Sequence, residues 1–211
     1  MSDDPGSAGH WEDVYRERDP DQVSWFQQRP RPSLDLILQA VGDRRAGVID
    51  VGGGASPLAA RLVEAGFADV TVLDVSGRAL AAARRAAETA SGVAAEAVTW
   101  VRADLLTWQP TRTWAVWHDR AVFHFLTDPA DRATYLAALR QATEPGAIVV
   151  LGTFAADGPT HCSGLPVTRW TAEELAAELG DAFVLLHSRR HRHRTPAGSV
   201  QPFTWITARR I

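Results

Sequence analysis

Three consecutive glycines, residues 52–54, form the segment whose residue types point most directly to ligand binding. They follow an apolar segment that contains Asp50, and Ser56 and Pro57 come shortly after them. Glycine tolerates positive φ angles and lets the backbone approach a ligand without interference from a Cβ atom. A helix that begins near Pro57 presents unpaired N–H groups to an anionic group. The segment therefore predicts a turn, between a parallel strand and a helix, that binds a ligand carrying a nucleoside.

The spacing of these glycines disfavours two other nucleotide-binding motifs. A dinucleotide fingerprint has the pattern G-x-G-x-x-G, but Pro57 stands where the third glycine is required, which disfavours a nicotinamide dehydrogenase. A phosphate-binding P-loop needs a lysine, and all 22 basic residues of this chain are arginines. The absence of lysine also excludes enzymes that use a lysine Schiff base and reductases that use a Tyr–Lys pair.

Two more carboxylates follow apolar segments further along the chain. Asp74 lies 20 residues after Gly54, and Asp104 stands between Ala103 and Leu105. Together with the loop that begins at Asp50, this arrangement resembles the class I S-adenosylmethionine-dependent methyltransferases. Open α/β sheets bind ligands beyond the carboxyl ends of their strands, where these residues are expected to lie.

The resemblance implies a role for each of these residues at the cofactor. It implies that Asp50 lies near the methionine moiety, that Asp74 accepts hydrogen bonds from the ribose hydroxyls, and that Asp104 accepts from the adenine amine. Val75 is expected to pack on adenine. As an alternative, each carboxylate is an ordinary turn or cap residue. The expected cofactor-binding residues are Trp25, Asp50, Gly52, Gly54, Asp74, Val75, Asp104, Leu105 and Asp119.

The segment after the fourth predicted strand, 114–118, is where the family places residues beside the transferred methyl group. Asp119 and Arg120 lie there, and His124 follows Arg120 by one helical turn. If the strand continues, His118 and Asp119 point in opposite directions, one toward the cofactor and one toward the sheet. His124 titrates near neutrality and could take a proton from a nucleophile, or it could simply be a packed histidine.

A third cluster joins Cys162 to His193 and lies where the family builds its acceptor pocket. Cys162 and His193 are therefore expected to contact the acceptor, with Asp119, Arg120 and His124 as the other catalytic residues. A cysteine among histidines could bind a soft metal, but the spacing matches no closed zinc pattern, so no metal is predicted. The alternative for Cys162 is a small buried apolar residue.

The residues upstream of the predicted sheet resemble the N-terminal lid of thiopurine- and tellurite-type methyltransferases. The resemblance rests on the pattern of Trp11, Tyr15, Trp25 and Phe26. A lid would exclude water during methyl transfer, and the aromatic faces would attract the sulfonium cation. As an alternative, Trp11 and Trp25 only fasten this segment to the core.

Apolar segments alternate with helix-forming segments from residue 33 onward, which predicts parallel βαβ units. Residues 182–189 and 202–209 follow each other without a helix and predict an antiparallel pair. The expected fold class is α/β, a Rossmann-like seven-stranded sheet that is mostly parallel, with an antiparallel last strand and helices on both faces. The methyltransferase domain is expected at 33–211, preceded by a segment 1–32 with a disordered start, residues 1–8, and the lid.

The composition indicates a protein that functions without nucleic acid or membrane. The net charge is −3, and the basic cluster at residues 189–194 stands alone. No segment approaches the roughly 20 apolar residues that span a bilayer. A single cysteine and the absence of a secretory signal predict a cytoplasmic location, and the lysine-free composition suggests a bacterial source.

The predicted function is methyl transfer from S-adenosylmethionine to a small-molecule acceptor, with release of S-adenosylhomocysteine. A thiol, a metalloid or another soft nucleophile is the acceptor that the resemblance implies. Catalysis is then expected to rest on positioning more than on proton transfer, since soft nucleophiles need little help. Two alternatives remain open: a protein lysine methyltransferase, and a binding module that holds S-adenosylmethionine without catalysis. The oligomeric state is not predicted.

Overall fold

The computed structural model describes residues 8–91 and 95–211, and the chain forms a three-layer α/β fold over this range. Seven of the described strands form one sheet in the order β3-β2-β1-β4-β5-β9-β8. The sheet strands are β1 (Val48–Val51), β2 (Val70–Asp74), β3 (Val98–Arg102), β4 (Val116–Arg120), β5 (Ile148–Phe154), β8 (Phe183–Arg194) and β9 (Val200–Arg210). Strands β1 to β5 are parallel, and β9 is antiparallel to β5 and to β8. The predicted fold class is confirmed.

The helices cover both faces of the sheet. They are α1 (Ala8–Glu17), α2 (Ser33–Ala40), α3 (Leu58–Glu64), α4 (Gly77–Ser91), α5 (Pro129–Gln141) and α6 (Ala172–Leu179). Leucines of α2 and α3 join a core cluster on one face, and α5 and α6 contribute to the cluster on the other face. These two apolar layers bury β1, β2, β4 and β5, which explains why β1, β2 and β5 are mostly apolar in sequence.

Several helices begin and end where the sequence supplies caps. The Asp128 side chain accepts from the N–H of Ala130, and Thr171 forms a capping box with Glu174. Gly180 ends α6 with a positive φ of 74°. The capping groups satisfy backbone N–H groups that the helices leave unpaired.

Strand β4 lies two residues further along the chain than the predicted strand 114–118. The apolar residues suggested an end at His118, but the strand continues through Asp119 to Arg120. His118 and Asp119 are buried within the sheet because each has a hydrogen-bond partner there. The sequence also gave no signal for the short hairpin of β6 (His161–Cys162) and β7 (Leu165–Pro166), which turns through Ser163 and Gly164 at positive φ.

The last two strands are longer than predicted and form the edge of the sheet. Strand β8 reaches Arg194, so the basic cluster at 189–194 lies on an exposed edge strand. The predicted disordered start falls largely on residues 1–7, which lie outside the described residues, while Ala8 begins α1. Among the described residues, no helix has the length and apolar character needed to cross a bilayer.

At Gly52 both space and backbone conformation are restricted. Its φ is +60°, and a Cβ atom would lie 2.0 Å from Cγ2 of Val122. Gly146 has a φ of +94° but no atom within 4 Å of its Cβ position. Alanine at Gly146 introduces backbone strain alone, whereas alanine at Gly52 introduces both backbone strain and steric overlap.

We expect Gly52→Ala to lower the free energy of unfolding by about 3 kcal/mol, since overpacking adds to the strain of a positive φ. Gly146→Ala is the control and should cost only the strain, about 1 kcal/mol. Urea unfolding measures both. Equal losses in the two variants would contradict the close contact between the glycine turn and Val122.

Candidate active site

A cavity of about 420 Å³ opens at the carboxyl ends of the parallel strands. Asp74, Val75, Asp104 and Leu105 line one side of it. The opposite side is formed by residues 120–122 after β4, the turn 125–127 and the β6–β7 hairpin. Residues of α1 and Trp25 cover it. The strand register explains why these residues meet at one edge of the sheet. In β1, Asp50 lies between Val72 of β2 and His118 of β4, and Val51 lies between Leu73 and Asp119 of the same two strands.

The Asp74 carboxylate links the glycine turn to the end of β2. Its Oδ2 accepts the Gly54 N–H at 2.8 Å, and its Oδ1 accepts the Ser76 N–H at 2.8 Å. Burial raises the pKa of Asp74 to about 6, although the two N–H donors favour the ionised form. A carboxylate oxygen can accept more than one hydrogen bond, so Asp74 retains acceptor capacity toward the cavity.

Asp104 and Leu105 follow β3 and line the cavity beside Asp74. Asp104 is exposed, and its Oδ1 accepts the Leu106 N–H at 2.9 Å, which orients the carboxylate. Val75 and Leu105 supply apolar surface at the same place. This part of the cavity therefore combines two carboxylates with an apolar wall, as a nucleoside requires.

A smaller cavity of about 40 Å³ lies between the N-terminal segment and the glycine turn. Asp50 and Arg120 both line it, so it contains one acidic and one basic group. The Asp50 carboxylate forms a buried 2.7 Å hydrogen bond to Nδ1 of His118. A Cβ atom at Gly53 would lie 2.7 Å from Asp50 Oδ2, so glycine is required for this close approach.

Aromatic side chains of the N-terminal segment cover the glycine turn. Trp25 Nε1 donates to the Tyr15 hydroxyl at 3.2 Å, and a Cβ atom at Gly54 would lie 2.7 Å from that hydroxyl oxygen. Burial raises the pKa of Tyr15 above its ordinary value. Trp11 stands edge-on to Trp25 and to Phe125, with ring centroids 5.8 and 5.2 Å apart. The covering segment therefore contacts both sides of the cavity.

Helix α1 is held in place by Glu12. Its Oε1 accepts the N–H of Gly77, the first residue of α4, at 2.7 Å. The same carboxylate lies 3.2 Å from Arg102 and 3.5 Å from Arg78. A negative charge at a helix N-terminus is stabilising, so Glu12 fastens α1 to the sheet. No local sequence pattern predicts this contact, which joins residues 65 positions apart.

The Arg120 side chain lies between the two cavities and lines both. Its Nη1 donates to the backbone oxygen of Trp25 at 2.8 Å, and its guanidinium lies 5.4 Å from the Phe203 ring centroid. Burial lowers the pKa of Arg120 to about 10, so the side chain stays charged at neutral pH. Arg120 is therefore a cation whose position depends on the segment that contains Trp25.

Asp119 lies below the cavity and does not line it. Its carboxylate accepts from the N–H groups of Val122 and Phe123 and from the Tyr135 hydroxyl. Burial raises the pKa of Asp119 to about 6. Tyr135 in turn accepts from Nε1 of Trp117 at 2.8 Å. In this arrangement Asp119 shapes the turn after β4, beginning at Ala121 with its positive φ of 70°.

The structure does not bring His124 into the cavity. The ring is fully buried between Phe125 and Phe154, and its Nδ1 accepts from the Phe154 N–H at 3.4 Å. Burial, together with the positive charge of Arg120, lowers the pKa of His124 to about 3. The imidazole is therefore neutral and enclosed, which corresponds to the packed histidine of the sequence analysis.

His193 and Cys162 are placed differently from each other. His193 Nε2 lies 2.7 Å from the Ser24 backbone oxygen and its Nδ1 lies 3.4 Å from Gln27 Nε2. The proton is therefore on Nε2, and the ring binds the segment before α2. His193 does not line either of the two cavities. Cys162 lines the larger cavity, and burial raises the pKa of its thiol to about 11. In the described part of the chain, no group of three or more His, Cys, Asp or Glu side chains could hold a metal ion.

Tyr135 is a structural residue that the sequence analysis did not single out. Its hydroxyl donates to Asp119 and accepts from Trp117, so one oxygen completes a buried chain of hydrogen bonds. The position lies on the buried face of α5, where the apolar pattern alone predicts an ordinary core residue. The contact with Asp119 depends on the tertiary fold, which local sequence patterns do not encode.

Solved structures with a similar fold cover nearly the whole chain. A methyltransferase from Anabaena variabilis, described as S-adenosylmethionine-dependent, is 17% identical, with a TM-score of 0.73 over 97% of this chain and 95% of that one. A Burkholderia thailandensis 1,6-didemethyltoxoflavin-N1-methyltransferase is 22% identical, with a TM-score of 0.72 over 96% and 86%. A protein studied in the conversion of a disulfide bond into a thioacetal group during echinomycin biosynthesis is 20% identical, with a TM-score of 0.75 over 96% and 92%. At these identities the likeness shows the fold.

Residues 48–146 match the family model described as a methyltransferase domain. No curated protein matches the chain significantly by sequence. The matched range begins with β1 and ends shortly before β5, so it contains the glycine turn, Asp74, Asp104 and Arg120. The match and the fold support an S-adenosylmethionine-dependent methyltransferase, an enzyme with S-adenosylmethionine as its cofactor.

We expect Tyr135→Phe to lower the free energy of unfolding by about 2–3 kcal/mol. The substitution leaves the Trp117 N–H without an acceptor and removes one donor from the buried Asp119 carboxylate. Thermal or urea unfolding measures the loss. Phenylalanine keeps the ring of Tyr135 and removes only the hydroxyl. A loss below about 0.5 kcal/mol would therefore contradict this role for the hydroxyl.

Proposed function

We propose that this chain transfers a methyl group from S-adenosylmethionine to a small-molecule acceptor and releases S-adenosylhomocysteine. The observation that carries the proposal is one continuous cavity. It extends from Asp74 and Asp104 on one side to Arg120 and Cys162 on the other, under a cover that includes Trp25. A cofactor and an acceptor placed in one enclosed cavity can meet without intervening water.

The residues at the strand ends fit the parts of S-adenosylmethionine. Asp74 would accept from the ribose hydroxyls, and Asp104 would accept from the adenine amine, with Val75 and Leu105 as the apolar wall. The smaller cavity between Asp50 and Arg120 suits a zwitterionic amino acid end. Gly52 and Gly54 are both at positive φ, and a Cβ atom at either would collide with Val122 or with Tyr15, so the turn requires glycine at both positions. These contacts support the cofactor-binding residues expected from the sequence.

When bound, the cofactor supplies a methyl group made electrophilic by a positively charged sulfur. The chain contributes enclosure and position. Trp25 is one of the aromatic residues that line the cavity, and aromatic rings attract cations. Among the expected catalytic residues, Arg120 and Cys162 line the cavity, whereas Asp119, His124 and His193 support its walls from outside. We therefore assign the last three to the positioning of the turn and the lid.

The residues before α2 act as the lid in this proposal, and residues 33–211 as the catalytic domain. The contacts of Glu12, Tyr15 and Trp25 with the sheet support the assignment. The proposed acceptor is a thiol, a metalloid or another soft nucleophile. The neighbour studied in the conversion of a disulfide into a thioacetal supports a sulfur acceptor, and the neighbour with bound 1,6-didemethyltoxoflavin supports a small molecule. The single cysteine agrees with a cytoplasmic location.

Among the alternatives, protein lysine methylation is less well supported by the acceptor side of the cavity. An ammonium acceptor requires acidic groups, but the described acceptor wall is largely apolar and carries the cation Arg120, with Asp131 as its carboxylate.

The test of catalysis is a panel of thiols, amines, phenols and metalloid oxyanions with methyl-labelled cofactor. Label transfer to none of them, although S-adenosylhomocysteine binds, would favour a binding module without catalysis.

Asp74 should make cofactor binding depend on pH. Ribose hydroxyls donate to the ionised carboxylate, so protonation below the pKa of about 6 weakens binding. We expect the dissociation constant of S-adenosylhomocysteine to rise about tenfold from pH 7.5 to pH 5. Asp74→Asn should weaken binding by about 1–3 kcal/mol at pH 7.5 and flatten the pH dependence. Calorimetry at both pH values measures this, and a constant wild-type affinity would remove Asp74 from the binding site.

Glu12 should control how fast the lid opens. Glu12→Ala removes the acceptor of the Gly77 N–H and the charge facing Arg78 and Arg102. We expect S-adenosylhomocysteine to dissociate about fivefold faster, because the loss of a capping side chain costs about 1 kcal/mol. Glu17→Ala, in the exposed last turn of α1, is the matched control. Stopped-flow fluorescence measures the rate, and equal rates in both variants would contradict the lid.

A further inference from the structure

Two opposite charges line the smaller cavity, but they do not form an ion pair with each other. Asp50 and Arg120 both border this space. Among the described residues, the Asp50 carboxylate lies within ion-pair distance of His118 only, and Nη1 of Arg120 donates to the Trp25 backbone oxygen. Opposite charges attract strongly where water is excluded, so other contacts must hold these two side chains apart.

His118 is the residue that holds Asp50. Its Nδ1 lies 2.7 Å from Oδ1 of Asp50, and the two residues are only 2% and 3% exposed. An ionised carboxylate only accepts hydrogen bonds, so the proton is on Nδ1. Nε2 is buried and has no hydrogen-bond partner in the described part of the chain, so a second proton there would be an unsatisfied donor. The ring is therefore a neutral donor that fixes Asp50 and leaves its negative charge intact.

Neighbouring strands fix the His118 ring in turn. In β4, His118 lies between Asp50 of β1 and Val150 of β5. The Trp205 ring of β9 is stacked beside the imidazole, with ring centroids 6.2 Å apart and planes at 27°. Gly152 of β5 leaves room for this indole, because a Cβ atom there would lie 2.7 Å from it. These contacts preorganise the Nδ1 donor before a ligand binds.

We propose that His118 is a positioning residue whose Nδ1–H holds Asp50 away from Arg120 and so keeps the smaller cavity open for the amino acid end of S-adenosylmethionine. The inference rests on the proposed methyltransferase function and deepens it. His118 lines neither of the two cavities, so it acts on cofactor binding through Asp50 alone.

Loss of the His118 donor would let the two charges meet. Nη2 of Arg120 is buried and has no hydrogen-bond partner among the described residues, so it is a ready donor for the released Asp50 carboxylate. An ion pair between them would fill the space of about 40 Å³ that the amino acid end requires. The adenosine part would keep its place, because Asp74 and Asp104 lie in the larger cavity.

The test compares S-adenosylhomocysteine with 5′-methylthioadenosine, which has the adenosine part but lacks the amino acid end. Calorimetry on the full wild-type chain should show that S-adenosylhomocysteine binds about a hundredfold more tightly. His118→Phe keeps a ring beside Trp205 and removes the donor. In this variant the advantage of S-adenosylhomocysteine should fall about tenfold, whereas the affinity for 5′-methylthioadenosine should change less than about twofold.

Two further variants locate the effect in the His118 donor. His118→Asn places an amide N–H near the position of Nδ1 and should restore most of the advantage. Thr207→Val is the matched control and should leave the advantage unchanged. Thr207 is buried in the same sheet, two strands from His118, and its hydroxyl has no hydrogen-bond partner in the described part of the chain.

Three results overturn the inference. The first is a full advantage in His118→Phe, and the second is an equal loss of affinity for both ligands, which a purely structural role of the ring would give. The third is an Asn variant that behaves like the Phe variant. If His118→Phe does not fold, nitrogen-15 NMR of the wild-type histidine rings decides. A proton on Nδ1 of His118 is expected with and without S-adenosylhomocysteine, and a proton on Nε2 instead overturns the inference.

The two ligands also separate this inference from the proposed function. Failure of the folded wild-type protein to bind either ligand overturns the proposed function, and with it the inference. Equal affinity of the wild-type protein for both ligands overturns the inference alone. In that case the methyltransferase function stands, and the adenosine part of the cofactor accounts for its binding.

Discussion

The carboxylate of Asp74 accepts hydrogen bonds from two separate segments, the glycine turn at Gly54 and the start of α4 at Ser76. Parallel strands bring these segments to the same edge of the sheet, where backbone N–H groups would otherwise remain unpaired. One buried acidic group therefore determines the width of the opening between β1 and β2. The proposed cofactor site depends on this opening, because the larger cavity begins there and continues past Leu73 toward Arg120.

The covering segment connects the two halves of the proposed site. Glu12 fastens α1 to α4 on the cofactor side, and His193 binds the Ser24 carbonyl on the acceptor side. Between them the Trp25 carbonyl holds Arg120. The position of the Arg120 guanidinium therefore depends on the position of the covering segment. If this segment acts as the proposed lid, its closure also aligns Arg120.

The sequence predicted the parts of the structure that depend on local spacing. The alternation of strands and helices follows from the periodicity of apolar residues. The positions of Asp74 and Asp104 after the glycine turn predicted that both lie at neighbouring strand ends, where the cavity lies. The environments of Asp119, His124 and His193 could not be predicted in this way. Their partners, such as Tyr135 and Ser24, are distant in sequence, and only the tertiary fold shows that these three side chains face away from the cavity. The extension of β4 to Arg120 was not predicted, because polar residues in a buried strand are stable only when they have hydrogen-bond partners. Those partners are distant in sequence and become visible only in the fold.

We propose that the carboxyl ends of β1 to β4 hold a sulfonium cofactor beside an acceptor space bounded by Arg120. A crystal structure of the full chain with S-adenosylhomocysteine would show whether they do. We expect ribose hydroxyls within hydrogen-bond distance of Asp74, adenine against Leu105, and the sulfur atom facing the space beside Arg120 and Cys162. Ligand density elsewhere on the molecule, with Asp74 bonded only to Gly54 and Ser76, would contradict it.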